Sequence, residues 1–297
     1  MTTRMRLRHV GGPFRGSAAV AAVAAGLLTP AQLRSPLVRR LFRGVYVPAG
    51  MIVDHCLRAE AATLLLPGCA AISGRSAAVA HGVPLPRALD PVEVSVPEQQ
   101  RFGPVVGMDV TRTELVAADL RPWANALVTT PVRTAFDLAR SREVHDAVAD
   151  VDAFLRATGI TPPQVQRYLR GRRNHGVAQA REVLELADPR SESPRESVVR
   201  CHLNRAGLWP VPQLEVRLPN GSWARVDLGF ERERVAVEYD GGWHALREQL
   251  AKDRARQNSL QGAGWTTVFV TATSLARGPG SLVADVKNAL ALSRWAA

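Results

Sequence analysis

The stretch from Arg225 to His244, RVDLGFERERVAVEYDGGWH, decides how the chain is read. Taken with period two, it sets Asp227, Glu238 and Asp240 among valines, a leucine and a phenylalanine, where a half-buried sheet carries apolar or neutral side chains. With Arg232 and Glu233 at the tip of a hairpin, Asp227 lies directly opposite Glu238, and Asp240 follows on the same face. Opposed like charges about 4.5–5.5 Å apart destabilise a sheet unless something neutralises them. A hard divalent cation does so, since Mg²⁺ takes one or two carboxylates together with water and phosphate oxygens. A solvated hairpin surface with Arg225 or Arg234 as counter-charge is the other reading. The opposite face, Val226, Leu228, Phe230, Val235, Val237 and Tyr239, is expected to build a core.

Working outward, the pattern predicts a helix over 194–206, strands over 213–218, 223–230 and 235–240, a helix over 246–261, a strand over 265–271 and a last helix over 281–294. Asn220-Gly221 marks one hairpin turn, because both positions tolerate positive φ. The helix-to-strand step through Gly262-Ala263-Gly264-Trp265 makes a βαβ crossover and therefore a mixed sheet. Leu246, Leu250, Asp253, Gln257 and Leu260 share one helical stripe, so Asp253 and Gln257 need polar partners, either in the acidic site or in Arg254 and Arg256. Ser193-Pro194-Arg195-Glu196 is a capping box, which makes Glu196 a cap, a fourth acidic site residue, or both. His244, just past Gly241-Gly242, suits a general acid or base, or a helix cap.

Towards the N-terminus the pattern is a helix begun by Ser17, a short capped helix from Thr29, a third helix over 37–43 and a strand Val45-Tyr46-Val47. That order is the one a small winged helix-turn-helix shows, over residues 14–50. Arg34, Arg39, Arg40 and Arg43 cluster on its last helix and wing, as DNA-contacting residues or as a solvated basic face. Residues 51–186 read as a mixed α+β middle region: helices over 54–66 and 76–81, strands over 92–96 and 105–111, and helices from Thr130 and over 143–156. No chemical constellation stands out there, and His55, His81, His145 and His175 lack partners at metal-ligand spacing. The run ADPRSESPRES separates this region from the part over 190–297. The expected class is α/β, α+β overall.

A net charge of +11, with Lys252 and Lys287 the only lysines, comes almost wholly from arginine, whose planar fork suits phosphate. DNA is the partner this favours, although an Arg-rich, Lys-poor composition also accompanies a GC-rich genome. Three cysteines, Cys56, Cys69 and Cys201, form no CxxC pair, which fits neither a disulfide framework nor a zinc ribbon and points to a reducing cytoplasm. The apolar run Ala18 to Leu28 is mostly alanine and too short for a bilayer, so neither a signal peptide nor a membrane segment is expected.

The order Glu196, Asp227, Glu238-Tyr239-Asp240-Gly241, His244, Asp253-x-x-Arg256, Leu260 and Gly264-Trp265 resembles the Vsr-like domain of unknown function. That domain belongs to the restriction-endonuclease-like PD-(D/E)xK superfamily, and the resemblance covers about residues 190 to 295. It implies that Asp227 and Glu238 bind Mg²⁺, or Mn²⁺ in its place, for phosphodiester hydrolysis by an activated water, with Glu196 as an accessory acid. Asp240 stands where that superfamily usually has lysine, a departure the Vsr-like group shares, and His244 would take the lysine's part. The pieces Phe42-Arg43-Gly44-Val45-Tyr46-Val47, Ser76 to Gly82 and Thr130 to Ala135 resemble the AbiEi-type antitoxin arrangement of actinobacterial proteins. This implies a DNA-binding winged helix and a cognate toxin or a second copy as partner.

Two functions therefore stand side by side: a Mg²⁺-dependent DNA endonuclease, and a non-catalytic DNA-binding regulator or antitoxin that keeps a nuclease-like scaffold.

Overall fold

The computed structural model describes residues 12–15, 31, 35–173, 175–241 and 247–295, with Arg15, 247–253 and 294–295 as backbone. The chain forms two compact units, Met1–Ser141 with Pro163–Val177, and Arg142–Pro162 with Ala178–Ala297. The polypeptide thus passes between units after residues 141, 162 and 177, and the run ADPRSESPRES lies within the second. The class is mixed α and β, as the patterning predicts.

The first unit holds two sheets. In the smaller, β1 (Phe14–Arg15) and β2 (Val38–Phe42) both pair antiparallel with β3 (Val45–Pro48), in the order β1-β3-β2. The expected helix over 37–43 is therefore a strand. Arg43 and Gly44, the latter at φ 77°, turn the chain so that the β-branched run Val45-Tyr46-Val47 lies alongside it. A register shift between Arg40 and Phe42 buries Phe42 and leaves Arg39, Arg40 and Arg43 exposed. The helix expected from Ser17, most of the one from Thr29, and Arg34 lie outside the described residues.

The larger sheet has β4 (Ala71–Ile72), β5 (Val92–Val96), β6 (Met108–Arg112), β7 (Leu120–Trp123) and β8 (Ala126–Thr129) in the order β6-β5-β4-β8-β7. Patterning finds β5, places β6 three residues early and misses the short β4, β7 and β8. Against the sheet lie α1 (His55–Thr63), opened by Asp54, whose carboxylate accepts the Leu57 N–H at 2.8 Å, and α2 (Gly74–Ala80). Ala59, Ala62 and Ala77 meet Ile72, Val92, Val94, Val96 and Val128 in its core. His55 lies 2.8 Å from Ser76 Oγ and 3.2 Å from the Arg87 carbonyl, and His81 lies 2.9 Å from the Thr129 carbonyl, so both are tied into the scaffold. Helix α3 (Pro131–Arg140) carries Arg133, 1% exposed, which donates to Asp119, Asp137 and the Glu114 carbonyl.

The second unit runs through α4 (Val144–Thr158) and resumes after α5 (Pro162–Tyr168), a helix that falls almost wholly in the first unit. It continues with α6 (Val177–Leu186), α7 (Pro194–Arg205), β9 (Val211–Arg217), β10 (Trp223–Phe230), β11 (Val235–Asp240), α8 (Arg247–Gly262), β12 (Thr266–Thr271), α9 (Ala272–Ala276) and α10 (Pro279–Trp295). The sheet order is β12-β11-β10-β9; β9, β10 and β11 are antiparallel and β12 runs parallel to β11, which is the mixed sheet expected from the crossover. Leu228 pairs with Val237 and Phe230 with Val235, the register that follows from a tip at Arg232 and Glu233. Leu228, Val235 and Val237 pack with Val199, Leu203, Leu282 and Val286 on one side of the sheet. Val226 does not join them. It packs with Val216, Ala236, Leu260 and Trp265 in a separate core, because the ladder is interrupted at Asp227 and Gln213, where Gln213 takes φ 54°.

Candidate functional site

The acidic residues of the second unit gather where the N-terminus of α7 meets the middle of β10 and β11. Ser193 caps α7 by accepting the Glu196 N–H at 3.2 Å, and Glu196 reaches back to accept the Glu192 N–H at 2.9 Å. The same Glu196 oxygen accepts from the Gln213 amide at 2.8 Å, so this side chain is at once a cap and a wall of the acidic site. Asp227, at the break in the ladder, uses its carboxylate to accept the Tyr239 N–H at 3.0 Å. Burial pushes its carboxyl up to about 6, and the negative charges of Glu196 and Glu238 push the same way against the Tyr239 N–H and Arg256.

Glu238 is 6% exposed. Its Oε2 accepts from Arg256 Nη2 at 2.6 Å, while its Oε1 is buried with no hydrogen-bond partner. Arg256 also donates from Nη1 to the Arg225 carbonyl at 2.9 Å, and Arg225 pairs with Glu192 at 2.8 Å. Arg256, from the Asp253-x-x-Arg256 piece, thus turns from α8 to the acidic sheet. Asp227, Glu238 and Glu196 are brought together as expected, and Asp240, half-buried, pairs in register with Thr271 one step further along β11. His244 and Leu246 lie outside the described residues, as do the side chains of Leu250 and Asp253. Gln213 is the neighbour that patterning missed; only its position next to Pro212 at the start of an expected strand hinted at irregular backbone.

The fit to a divalent cation is partial. An orphaned, buried Glu238 oxygen and an Asp227 carboxyl raised by burial and, beyond that, by the charges of Glu196 and Glu238 are what a cation would relieve. Yet among the described residues no three His, Cys, Asp or Glu side chains are grouped so as to hold a metal ion, and the positive charge beside Glu238 comes from a guanidinium.

In the first unit, the β2–β3 hairpin presents Arg39, Arg40 and Arg43 to solvent. Phe42, Val45 and Val47 root it in the core, and Phe14 stacks on Tyr46 at 6.1 Å between ring centroids, so the arginines sit on a braced platform. Arg39 donates to the Ala49 carbonyl at 3.5 Å, a contact at the limit of hydrogen bonding. Hairpins of this kind are the wings with which small DNA-binding domains touch the phosphate backbone.

Two proteins of Mycobacterium tuberculosis, the uncharacterized proteins Rv2248 and MT2308, are each 35% identical to this chain over 202 residues, covering 66% of it and 73% of their own length. The chain belongs to their family. Residues 68–186 match the AbiEi antitoxin C-terminal domain. This antitoxin-type domain takes in the Ser76 to Gly82 and Thr130 to Ala135 pieces that suggested the likeness, but not Phe42 to Val47. It also lies on the middle region in which sequence reading found no constellation. The crystal structure of the RV2827C protein from M. tuberculosis aligns with a TM-score of 0.44 and 16% identity, over 73% of this chain and 87% of that one. No helix among the described residues is long and apolar enough to cross a membrane.

Proposed function

We propose that the chain is a DNA-binding regulator of the antitoxin type, which grips duplex backbone through the arginines of the β2–β3 hairpin. The observation that carries this reading is the match of residues 68–186 to an antitoxin domain. The hairpin arginines and the net charge of +11 supply the surface and the sign of charge that phosphate contacts require. A cognate toxin or a second copy of the chain would be its protein partner.

The test is electrophoretic mobility shift on DNA from upstream of its own gene, over a range of salt. Each phosphate contact contributes about 0.9 to the slope of log affinity against log salt, so Arg39→Ala, Arg40→Ala and Arg43→Ala together should reduce it by roughly two to three. Wild-type protein that does not distinguish this DNA from a scrambled duplex, or a triple variant with an unchanged slope, sinks the reading.

A second reading rests on the orphaned Glu238 oxygen beside the raised Asp227 carboxyl, which favours Mg²⁺ or Mn²⁺ held by Asp227 and Glu238 and a phosphodiester-cleaving role. The cation would supply charge stabilisation and a more acidic bound water. The chain's own part would be to keep Asp227 aimed through the Tyr239 N–H and Glu238 aimed through Arg256. Supercoiled plasmid incubated with Mg²⁺ or Mn²⁺ decides it. Relaxation lost in both Asp227→Ala and Glu238→Ala, with DNA binding retained, supports the reading, and no relaxation by wild type removes it.

A further inference from the structure

The second unit has a cleft of about 630 Å³ at the end of the β9–β10 hairpin, with none of Glu196, Asp227, Glu238 or Asp240 in its lining. That volume suits a small-molecule or single-nucleotide ligand. Two indoles shape it: Trp265, 9% exposed, is anchored in the core, and Trp223 is 63% exposed. Trp223 pairs in register with Arg217 across the hairpin, so an open aromatic face and a guanidinium stand side by side at the rim.

The opposite rim is the turn that joins β10 to β11. Arg234 takes φ 50° there, a left-handed conformation that is uncommon for a residue with a side chain. Its carbonyl accepts the Thr266 N–H at 2.9 Å, which pins the turn to the start of β12. Gly264, itself at φ 78°, leaves room for the guanidinium: a Cβ there would stand 3.1 Å from Arg234 Nη1. The strained residue is thus held with its charged end along the cleft wall.

Glu215 and Glu231 also line the cleft, yet neither Arg217 nor Arg234 forms an ion pair with another described residue. Arginines left unpaired next to carboxylates and an exposed indole make a mixed surface. A nucleotide matches it part by part: a planar base for the indole, the base's N–H donors for the carboxylates and a phosphate for the guanidinium groups. A proline-rich peptide would use the indoles but leave both guanidinium groups idle.

We propose that this cleft binds a nucleotide, its base laid against Trp223 and its phosphate held between Arg217 and Arg234. The site goes beyond the hairpin-held DNA-binding reading and stands without it.

The test uses the full chain carrying Arg39→Ala, Arg40→Ala and Arg43→Ala, so that the hairpin contributes nothing, and follows tryptophan emission. A short oligothymidylate should quench emission saturably, and Trp223→Ala should weaken its binding roughly fivefold or more, the scale of one base-aromatic stack. Arg234→Gly, which suits the left-handed backbone, should weaken binding without lowering the melting temperature. Thymidine monophosphate that competes at millimolar concentration assigns the site to free nucleotides; competition only by the oligonucleotide assigns it to an unpaired strand. Absence of quenching by both, oligonucleotide affinity within twofold of the parent in Trp223→Ala, or quenching only by a proline-rich peptide overturns the proposal. Because hairpin-dependent duplex binding is measured separately, either site can fail without the other.

Discussion

Replacing Asp227 with asparagine should stabilise the second unit at neutral and alkaline pH. The carboxyl sits at about 6 in the folded protein against 3.8 for an ordinary aspartate, a difference worth about 3 kcal/mol. Part of the group is open to solvent, so screening reduces this to about 1–2 kcal/mol. The sign follows from the direction. A folded carboxyl that holds its proton more tightly than the unfolded one favours folding at low pH, and this contribution fades as pH rises from about 4 through 6. Above that window the ionised Asp227 is a net cost, because it is buried beside Glu196 and Glu238. Asparagine removes the charge and keeps an oxygen for the Tyr239 N–H, so the variant should melt roughly 2–6 °C higher at pH 8 and show no gain at pH 4. Thermal melts of both proteins across this range measure it, with the transition of each unit followed separately. An asparagine variant equally destabilised at both pH values would refute the reasoning, since Asp227 would then be a structural partner rather than a strained one.

Three further outcomes follow from packing. Arg200 and Asp152 form a buried pair at 2.5 Å between α7 and α4, and Arg200 also holds Ser191 Oγ and the Leu186 carbonyl; Arg200→Ala should cost about 3–5 kcal/mol in urea denaturation, because the buried Asp152 loses its counter-charge and keeps only hydrogen bonds such as that from the Asp188 N–H. Arg133→Ala should cost a similar amount in the first unit by removing the buried charge that bridges Asp119 and Asp137, which would keep only Tyr168 with Arg172 and only Arg140 respectively, and Arg133→Lys should not restore it, since one ammonium cannot span the same fork of acceptors. Gly229→Ala would place a Cβ 2.4 Å from Leu214 Cδ2 in the β9–β10 pair, so about 1–3 kcal/mol of overpacking should appear in the same denaturation assay.

The second unit was legible because its signals are local. Asn220-Gly221 and the Glu231 to Arg234 tip fix two hairpins, and a tip fixes register, which the Leu228–Val237 and Phe230–Val235 pairs follow. What was not legible depends on backbone irregularity or on neighbours distant in sequence. The segment Leu37 to Arg43 carries a four-residue leucine spacing that suits a helix, yet pairing with Val45 to Pro48 and the bulge before Phe42 made it a strand. The left-handed Gln213 moved Val226 into the other core and brought its own amide to Glu196. On α8, stripe arithmetic selects Asp253 and Gln257 as the inward polar pair; Arg256, off that stripe, contacts Glu238 because a long side chain reaches beyond its own stripe. The open face of Trp223 left no trace in the pattern, since alternation predicts which way a side chain points but not whether anything covers it.

The three passages of the chain between units bear on how this protein is made. Helix α4 leaves the ribosome well before α7, the helix to which Arg200 and Asp152 tie it, and the residues 163–177 synthesised in between belong to the other unit. The buried half of that ion pair must therefore wait for its partner while the first unit closes around a later segment. No single cut in the gene separates the two bodies. A fragment that starts in the run at 187–197 would lack α4 and expose the apolar face of α7, and one that stops there would carry α4 with nothing to cover it. The two units are therefore inherited, expressed and folded together.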